Sequence, residues 1–146
     1  MRSKSSSQKG ASAVEFALVL PLLMLITFGI IEFGMFIYNQ QVITNASREG
    51  ARAGIVASMP RVTPDQIEEV VHTYCLNNMV TFGAPNTPTI VRPPVGYSAT
   101  AAFGSDLRVQ VNYQYSFLVI PNFISGLYQG SESFRRMQAI TVMRYE

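Results

Sequence analysis

The chain has 146 residues, which is enough for one compact domain and too few for the two-domain plans that most cofactor enzymes use. Hydrophobic residues make up 48% and charged residues only 14%, well below the roughly 25% of an average soluble domain, so part of the chain is expected to lie outside water. The formal net charge is +2, but Arg2, Lys4 and Lys9 lie within the first ten positions and the remainder is close to neutral, which argues against nucleic-acid binding.

The first predicted element is an apolar helix that is long enough to cross a membrane. Residues 16–31 carry no charge, and after Glu32 the apolar stretch resumes and reaches Tyr38. As a helix, residues 16–38 would span roughly 34 Å, slightly more than the hydrocarbon core of a bilayer. A removable secretory signal is disfavoured because the apolar stretch is longer than such signals use and no cleavage site follows it closely.

The charges that flank this helix predict its orientation. The basic N-terminus is expected to stay in the cytoplasm, so the C-terminal part crosses the membrane. We therefore predict a short cytoplasmic N-terminus, a transmembrane helix that ends at Tyr38, a continuation of that helix (39–57) and a small domain on the outward side (58–146).

Two acidic residues accompany the apolar helix, and each has an ordinary and a functional interpretation. Glu32 lies near the outer end, where its carboxylate could reach the lipid headgroups, and the ordinary interpretation is a tolerated interfacial acid. Glu15 lies at the start, where an acid is favoured by the positive end of the helix dipole. Pro21 is expected to bend or loosen the helix, which membrane helices tolerate for many reasons.

The residues around Glu15 form a recognisable pattern. The string KGASAVEF combines a short basic leader that ends at Gly10, four small or apolar residues, Glu15 and the aromatic Phe16. This pattern resembles the processing site of the type IV pilin superfamily. The resemblance implies that a prepilin peptidase cuts between Gly10 and Ala11 and leaves the apolar helix attached. Residues 1–10 would then be a cytoplasmic leader peptide, residues 11–38 the transmembrane helix and residues 58–146 a periplasmic domain. The new α-amino group of Ala11 would then lie near the Glu15 carboxylate and offset the cost of burying it in a helix bundle.

The pattern continues beyond Phe16. The segment VEFALVLPLLMLITFGIIEFG, with Pro21 in its first half, is followed by ASREGARAG. This longer pattern is similar to the TadE-like group, the minor pilins or pseudopilins of the Tad (Flp) pilus system. The resemblance covers Lys9 to about Ala57, and it implies that Glu15, Phe16 and Pro21 serve assembly.

Two helices are predicted on the outward side. The first continues the membrane helix to about Ala57 and carries a stripe of small residues, which another element can approach closely: Ala46, Gly50, Ala53 and Ala57. The second begins after the capping sequence Thr63-Pro64-Asp65-Gln66 and runs to about Met79. On it Cys75 is interpreted as a buried apolar residue, with an intersubunit disulfide as the alternative, and His72 as structural or solvated.

Three strands are predicted after the second helix: a short one at 89–92, a strongly alternating one at 107–117 and a final one at 134–145. Between the last two, residues 117–130 form a partly apolar loop, which could touch membrane or a partner. The predicted fold class is α+β, with a long N-terminal transmembrane helix that continues into a small periplasmic domain, in which a second helix and a short antiparallel sheet pack against it.

The sequence favours a structural function. It contains none of the common nucleophile, phosphate-binding or zinc-protease motifs, so neither an enzyme nor a cofactor is expected. The resemblance implies a subunit of the bacterial inner membrane that can enter an extracellular pilus and take part in cell adhesion. Its expected partners are the lipid bilayer, other pilins or pseudopilins, the prepilin peptidase and the inner-membrane assembly platform. The alternatives are an unprocessed scaffold of a Tad secretion channel and a secreted ligand-binding domain that has lost its signal.

Overall fold

A long helix forms the axis of the molecule. The computed structural model describes residues 4–81, 88–90, 94–100, 102–118 and 134–145. Helix α1, Lys4–Ile55, runs without interruption through Pro21. It begins within the predicted leader and ends two residues before the predicted end, where Ser58 N donates to Val56 O (2.9 Å) in a turn ahead of Pro60.

The second helix, α2, Pro64–Asn78, begins as the sequence predicts. The Thr63 side chain accepts a hydrogen bond from Gln66 N (3.3 Å), and the Gln66 side chain accepts one from Thr63 N (2.9 Å). This reciprocal pair satisfies amide groups that the first turn of a helix leaves without partners. The inner face of α2 is buried at Ile67, Val71 and Cys75.

The described strands form one antiparallel sheet in the order β1-β2-β3, with β1 at Thr89–Ile90, β2 at Asp106–Ser116 and β3 at Phe134–Arg144. The register pairs Leu107 with Met143 and Tyr113 with Met137. Strand β2 alternates as predicted, with its apolar side chains buried and the intervening residues facing outward. The predicted loop at 117–130 lies outside the described residues from position 119 onward, as do positions 91 and 92 of the first predicted strand.

The inner face of the sheet packs against the second half of α1, with α2 alongside. Two glycines permit this approach. A Cβ atom on Gly50 would lie 2.5 Å from Val71 Cγ2, and one on Gly54 would lie 2.5 Å from Leu107 Cδ2.

The predicted small-residue stripe is therefore correct in part. Ala46 and Gly50 are buried, whereas Ala53 is half-buried and Ala57 is exposed beyond the helix end. Gly54, and not Ala57, is the last position at which other elements approach α1 closely, because α2 and β2 meet α1 at the turn that contains Gly50 and Gly54.

Candidate functional site: the bare helix and its junction with the domain

Within the described part of the chain, no other element covers the first half of α1. No residue from 11 to 31 is buried, and this bare segment is about 30 Å long, close to the thickness of a bilayer core. Its most apolar 18-residue window has a mean hydropathy of 2.4, and none of that window is buried. The large exposed apolar side chains of the bare segment are Val14, Phe16, Leu18, Val19, Leu22, Leu23, Met24, Ile26, Phe28, Ile30 and Ile31.

The site residues predicted from the sequence extend from one residue before this segment to its middle. Gly10, Ala11, Glu15, Phe16 and Pro21 are exposed and belong to one continuous stretch of α1. The Gly10–Ala11 peptide bond lies inside the helix. Glu15 follows Ala11 by four residues, so the two share one face of α1 one turn apart.

Glu32 has a different environment from the one expected of an interfacial acid. Only 3% of its surface is exposed, since the end of β2 covers it. Its Oε1 accepts a hydrogen bond from the main-chain amide of Leu118, and its carbonyl oxygen accepts one from Tyr115 Oη (3.5 Å). A carboxylate can be buried where a main-chain amide donates to it. The acid that interrupts the apolar stretch therefore marks the point where the folded domain begins.

An aromatic cluster joins α1 to β2 beside Glu32. The Phe36 ring stacks on Phe117 (5.6 Å between centroids) and meets Tyr115 edge-on (5.6 Å). Tyr115 and Phe117 are themselves in edge contact (5.1 Å), and Phe33 stacks on Phe36 (6.1 Å). Burial raises the pKa of the Tyr115 phenol, and the nearby Glu32 carboxylate raises it further. This cluster, together with Glu32, is called the junction below.

Polar side chains of α1 hold the domain above the junction. Asn39 is fully buried and bonds the main chain of Val80 through both of its side-chain polar groups. Gln40 Nε2 donates to Gln138 O (3.0 Å), and the hydroxyls of Ser47 and Thr141 lie 2.6 Å apart. None of these contacts is predicted from the sequence. The signal available in the sequence was spacing. Asn39 lies at helical spacing from Val42, Ile43 and Ala46, and all four are buried on one face of α1.

The remaining candidate residues serve the core or the surface of the domain. His72 is half-buried, with its Nε2 3.4 Å from Glu68 Oε1. Cys75 is buried, and burial raises the pKa of its thiol to about 11. Within the part of the chain that the structure describes, no three His, Cys, Asp or Glu side chains come together as metal ligands.

These features define a class of protein: a membrane-anchored α+β protein with one long N-terminal helix that is bare in its first half and carries a small domain on its second. A model of the family described as TadE-like protein matches residues 10–52, which is under a third of the chain, so this segment is similar to the TadE-like family. The match begins at Gly10 and covers the bare segment and the α1 side of the junction. It confirms the resemblance seen in the sequence and indicates a membrane protein associated with the Tad pilus. Comparisons with curated proteins and with solved structures give no match.

Proposed function

We propose that the protein is a minor pilin or pseudopilin, a structural subunit without catalytic activity that acts in the base, priming complex or tip of a Tad pilus. The observation that carries this proposal is the position of Gly10, Ala11 and Glu15 at the start of a bare apolar helix. The family match and the absence of burial along this segment support it.

Processing would give Glu15 a charged partner. A cut between Gly10 and Ala11 creates an α-amino group, which has an ordinary pKa of about 7.7–8.0 and is mostly protonated at neutral pH. Ala11 lies one turn from Glu15, and a neighbouring subunit could also supply the amino group. In a low-dielectric bundle the attraction between the two charges offsets part of the cost of burying each one.

The bare segment would be the assembly surface. Inside a bilayer its apolar side chains are solvated by lipid, but they need another apolar surface when the subunit leaves the membrane. The corresponding helices of other pilins or pseudopilins supply such a surface. Pro21 permits local bending during this transfer.

The same proposal includes a location and further partners. The basic N-terminus is placed in the cytoplasm and the folded domain in the periplasm, with α1 across the bacterial inner membrane. The prepilin peptidase would act at the cytoplasmic end, and the inner-membrane assembly platform would then move the processed subunit.

The decisive experiment is to determine the native N-terminus by mass spectrometry in cells with and without the prepilin peptidase. We expect Ala11 as the first residue only where the peptidase is present. Gly10→Val should retain the leader because a β-branched side chain is placed at the cut. Gly29→Val is the matched control, since a Cβ atom meets nothing within 4 Å at either glycine. An uncut N-terminus in both strains contradicts the processing proposal.

One observation favours a second function, that of an unprocessed scaffold in a Tad secretion channel. Helix α1 is continuous across the Gly10–Ala11 bond, so the uncut chain already has a complete anchor. Proteomics of sheared pili separates the two functions. A pilin subunit is recovered in the sheared fraction, whereas a scaffold stays with the membrane.

A further inference from the structure

The hydrogen bonds between α1 and β3 fix how far the sheet reaches toward the membrane. Gln138 is bonded to Gln40, and Thr141 to Ser47. The seven steps from Gln40 to Ser47 rise about 10 Å along a helix, and the three steps from Gln138 to Thr141 advance about 10 Å along a strand. Strand β3 therefore runs along the axis of α1 and in the same direction.

Two arginines near the start of β3 lie at the level along α1 where the bare segment ends. Arg135 precedes Gln138 by three residues, so it lies about 10 Å lower, level with Phe33. Arg136 lies one residue above it. The bare segment ends at Ile31 and the domain begins to cover α1 at Glu32, so both arginines lie just above the part of α1 that is left uncovered.

The two arginines are available for contact with a surface. Arg135 pairs in register with Tyr115 on the sheet face toward α1, and Arg136 pairs with Gln114 on the opposite face. Both are exposed, and neither forms an ion pair with any acid among the residues that the structure describes. Glu32, an acid at nearly the same level, is buried and accepts the Leu118 amide, so it does not present its charge to a surface below.

The surroundings of the arginines fit the headgroup region of a bilayer. The junction rings, Phe33, Phe36, Tyr115 and Phe117, lie at this level, so apolar and basic side chains meet where the uncovered part of α1 ends. The guanidinium group offers paired donors that match the oxygens of a phosphate, and basic side chains near an anionic leaflet are attracted to it.

We propose that Arg135 and Arg136 bind the phosphates of anionic phospholipids at the membrane surface from which α1 emerges, and that this contact holds the membrane-proximal end of the sheet against the bilayer. The proposal rests on membrane anchoring by α1 and adds a second attachment made by the folded domain. Lipid is the occupant that the geometry favours, since the surface is continuous with a helix long and apolar enough to span the bilayer and carries the complementary charge.

The test uses the full chain in lipid nanodiscs made either of phosphatidylcholine alone or of phosphatidylcholine with phosphatidylglycerol. A fluorophore is attached at Ser116→Cys, an exposed position at the membrane-proximal end of β2, and quenched by a headgroup-linked spin label. Ala102→Cys, exposed near the far end of the sheet, carries the fluorophore in the control, and the buried Cys75 is left unlabelled. We expect quenching at position 116 to be about twofold stronger with phosphatidylglycerol, and quenching at position 102 to be unchanged.

The charge requirement is tested with paired substitutions. Arg135→Gln with Arg136→Gln should reduce quenching to the level seen in phosphatidylcholine. Arg108→Gln with Arg144→Gln removes the same charge from the far end of the sheet and should leave the phosphatidylglycerol effect intact. Equal quenching of the unsubstituted chain in the two lipids, or an equal loss in both double variants, overturns the proposal.

A flotation assay with vesicles of the same two compositions separates this inference from the anchoring on which it rests. A chain that floats with both kinds of vesicle but shows no effect of phosphatidylglycerol is anchored, and the arginine contact is wrong. A chain that does not float contradicts anchoring and with it the lipid contact.

Discussion

The Asn39 side chain bonds both main-chain polar groups of Val80, 41 residues further along the chain. Its Nδ2 donates to the Val80 carbonyl oxygen (2.7 Å), and its Oδ1 accepts from the Val80 amide (3.0 Å). Asn39 itself is fully buried within α1. The amide group thus holds the chain that leaves α2 against the long helix, in the manner of a short strand pairing.

Replacing Asn39 with Ala should destabilise the folded domain by about 2 kcal/mol, since two hydrogen bonds are lost and main-chain groups of Val80 lose their partners. The measurement is urea unfolding of the full chain in detergent, followed by near-ultraviolet circular dichroism. Asn45→Ala, on the exposed side of the same helix, is the control and should change the free energy of unfolding by less than about 0.5 kcal/mol. Equal effects of the two substitutions would show that the Val80 contact is unimportant.

Gly50→Ala should also destabilise the domain, although alanine is the better helix former. The added Cβ atom would lie 2.5 Å from Cγ2 of Val71, a fully buried and β-branched side chain with little freedom to move away. Overpacking costs about 1–3 kcal/mol, and the gain in helix propensity returns about 1 kcal/mol, so a net loss of about 1 kcal/mol is expected.

Gly34→Ala provides the comparison, because a Cβ atom there meets nothing within 4 Å. The same urea titration should show no loss of stability for this variant. If Gly50→Ala is as stable as Gly34→Ala, the close approach of α1 and α2 is looser than the structure indicates.

The elements predicted correctly from the sequence are those that depend on local patterns. The Thr63 capping box, the alternation of Leu107 to Phe117 and the apolar run after Phe16 each depend on residues close together in the chain. The environment of Glu32 could not be derived in this way. Its partner, Leu118, is 86 residues away, and only the pairing of β2 with α1 brings them together.

The candidate site shows the same difference between local patterns and contacts that join distant parts of the chain. Gly10, Ala11 and Glu15 are predicted as site residues because their motif is contiguous. The position of Arg135 beside the membrane depends on the height of β3 along α1, which the contacts of Gln40 and Ser47 set. The sequence shows neither which strand residue each of them contacts nor the level at which β3 lies along α1.

Cys75 should make the stability of the domain fall at high pH. Burial raises its thiol pKa from 9.0 to about 11 in the folded chain. Between these values the unfolded chain loses the proton while the folded chain keeps it, so the free energy of unfolding decreases as the pH rises from about 9 to 11. Below about pH 8 both states are protonated, and Cys75 contributes no pH dependence.

The measurement is the slope of unfolding free energy against pH, compared with Cys75→Ala. The variant should show a shallower fall, with the remainder due to buried tyrosines such as Tyr113, whose pKa is also raised by burial. An independent check is labelling by a maleimide at pH 7, which should be slow in the folded chain and fast in denaturant, since the thiol is both buried and protonated. Rapid labelling of the folded chain would contradict this account.

Glu15→Gln should separate processing from assembly. The substitution keeps the size of the side chain and removes the charge that would pair with the α-amino group of Ala11. The Gly10–Ala11 bond lies five residues before Glu15, so the cut should proceed, and mass spectrometry should find Ala11 as the first residue. Assembly should fall, because the amino group then enters the bundle without its partner.

Glu49→Gln is the matched control, since Glu49 is an exposed acid on the same helix, outside the bare segment. The assay is the amount of pilus protein in the sheared fraction, normalised to the processed subunit in the membrane. The loss of one buried partner commonly costs about 3–5 kcal/mol, enough to reduce incorporation by at least about a hundredfold if it falls on a single assembly step. Normal piliation in the Glu15→Gln strain, with Ala11 as the first residue, would mean that the carboxylate has no pairing role in the filament.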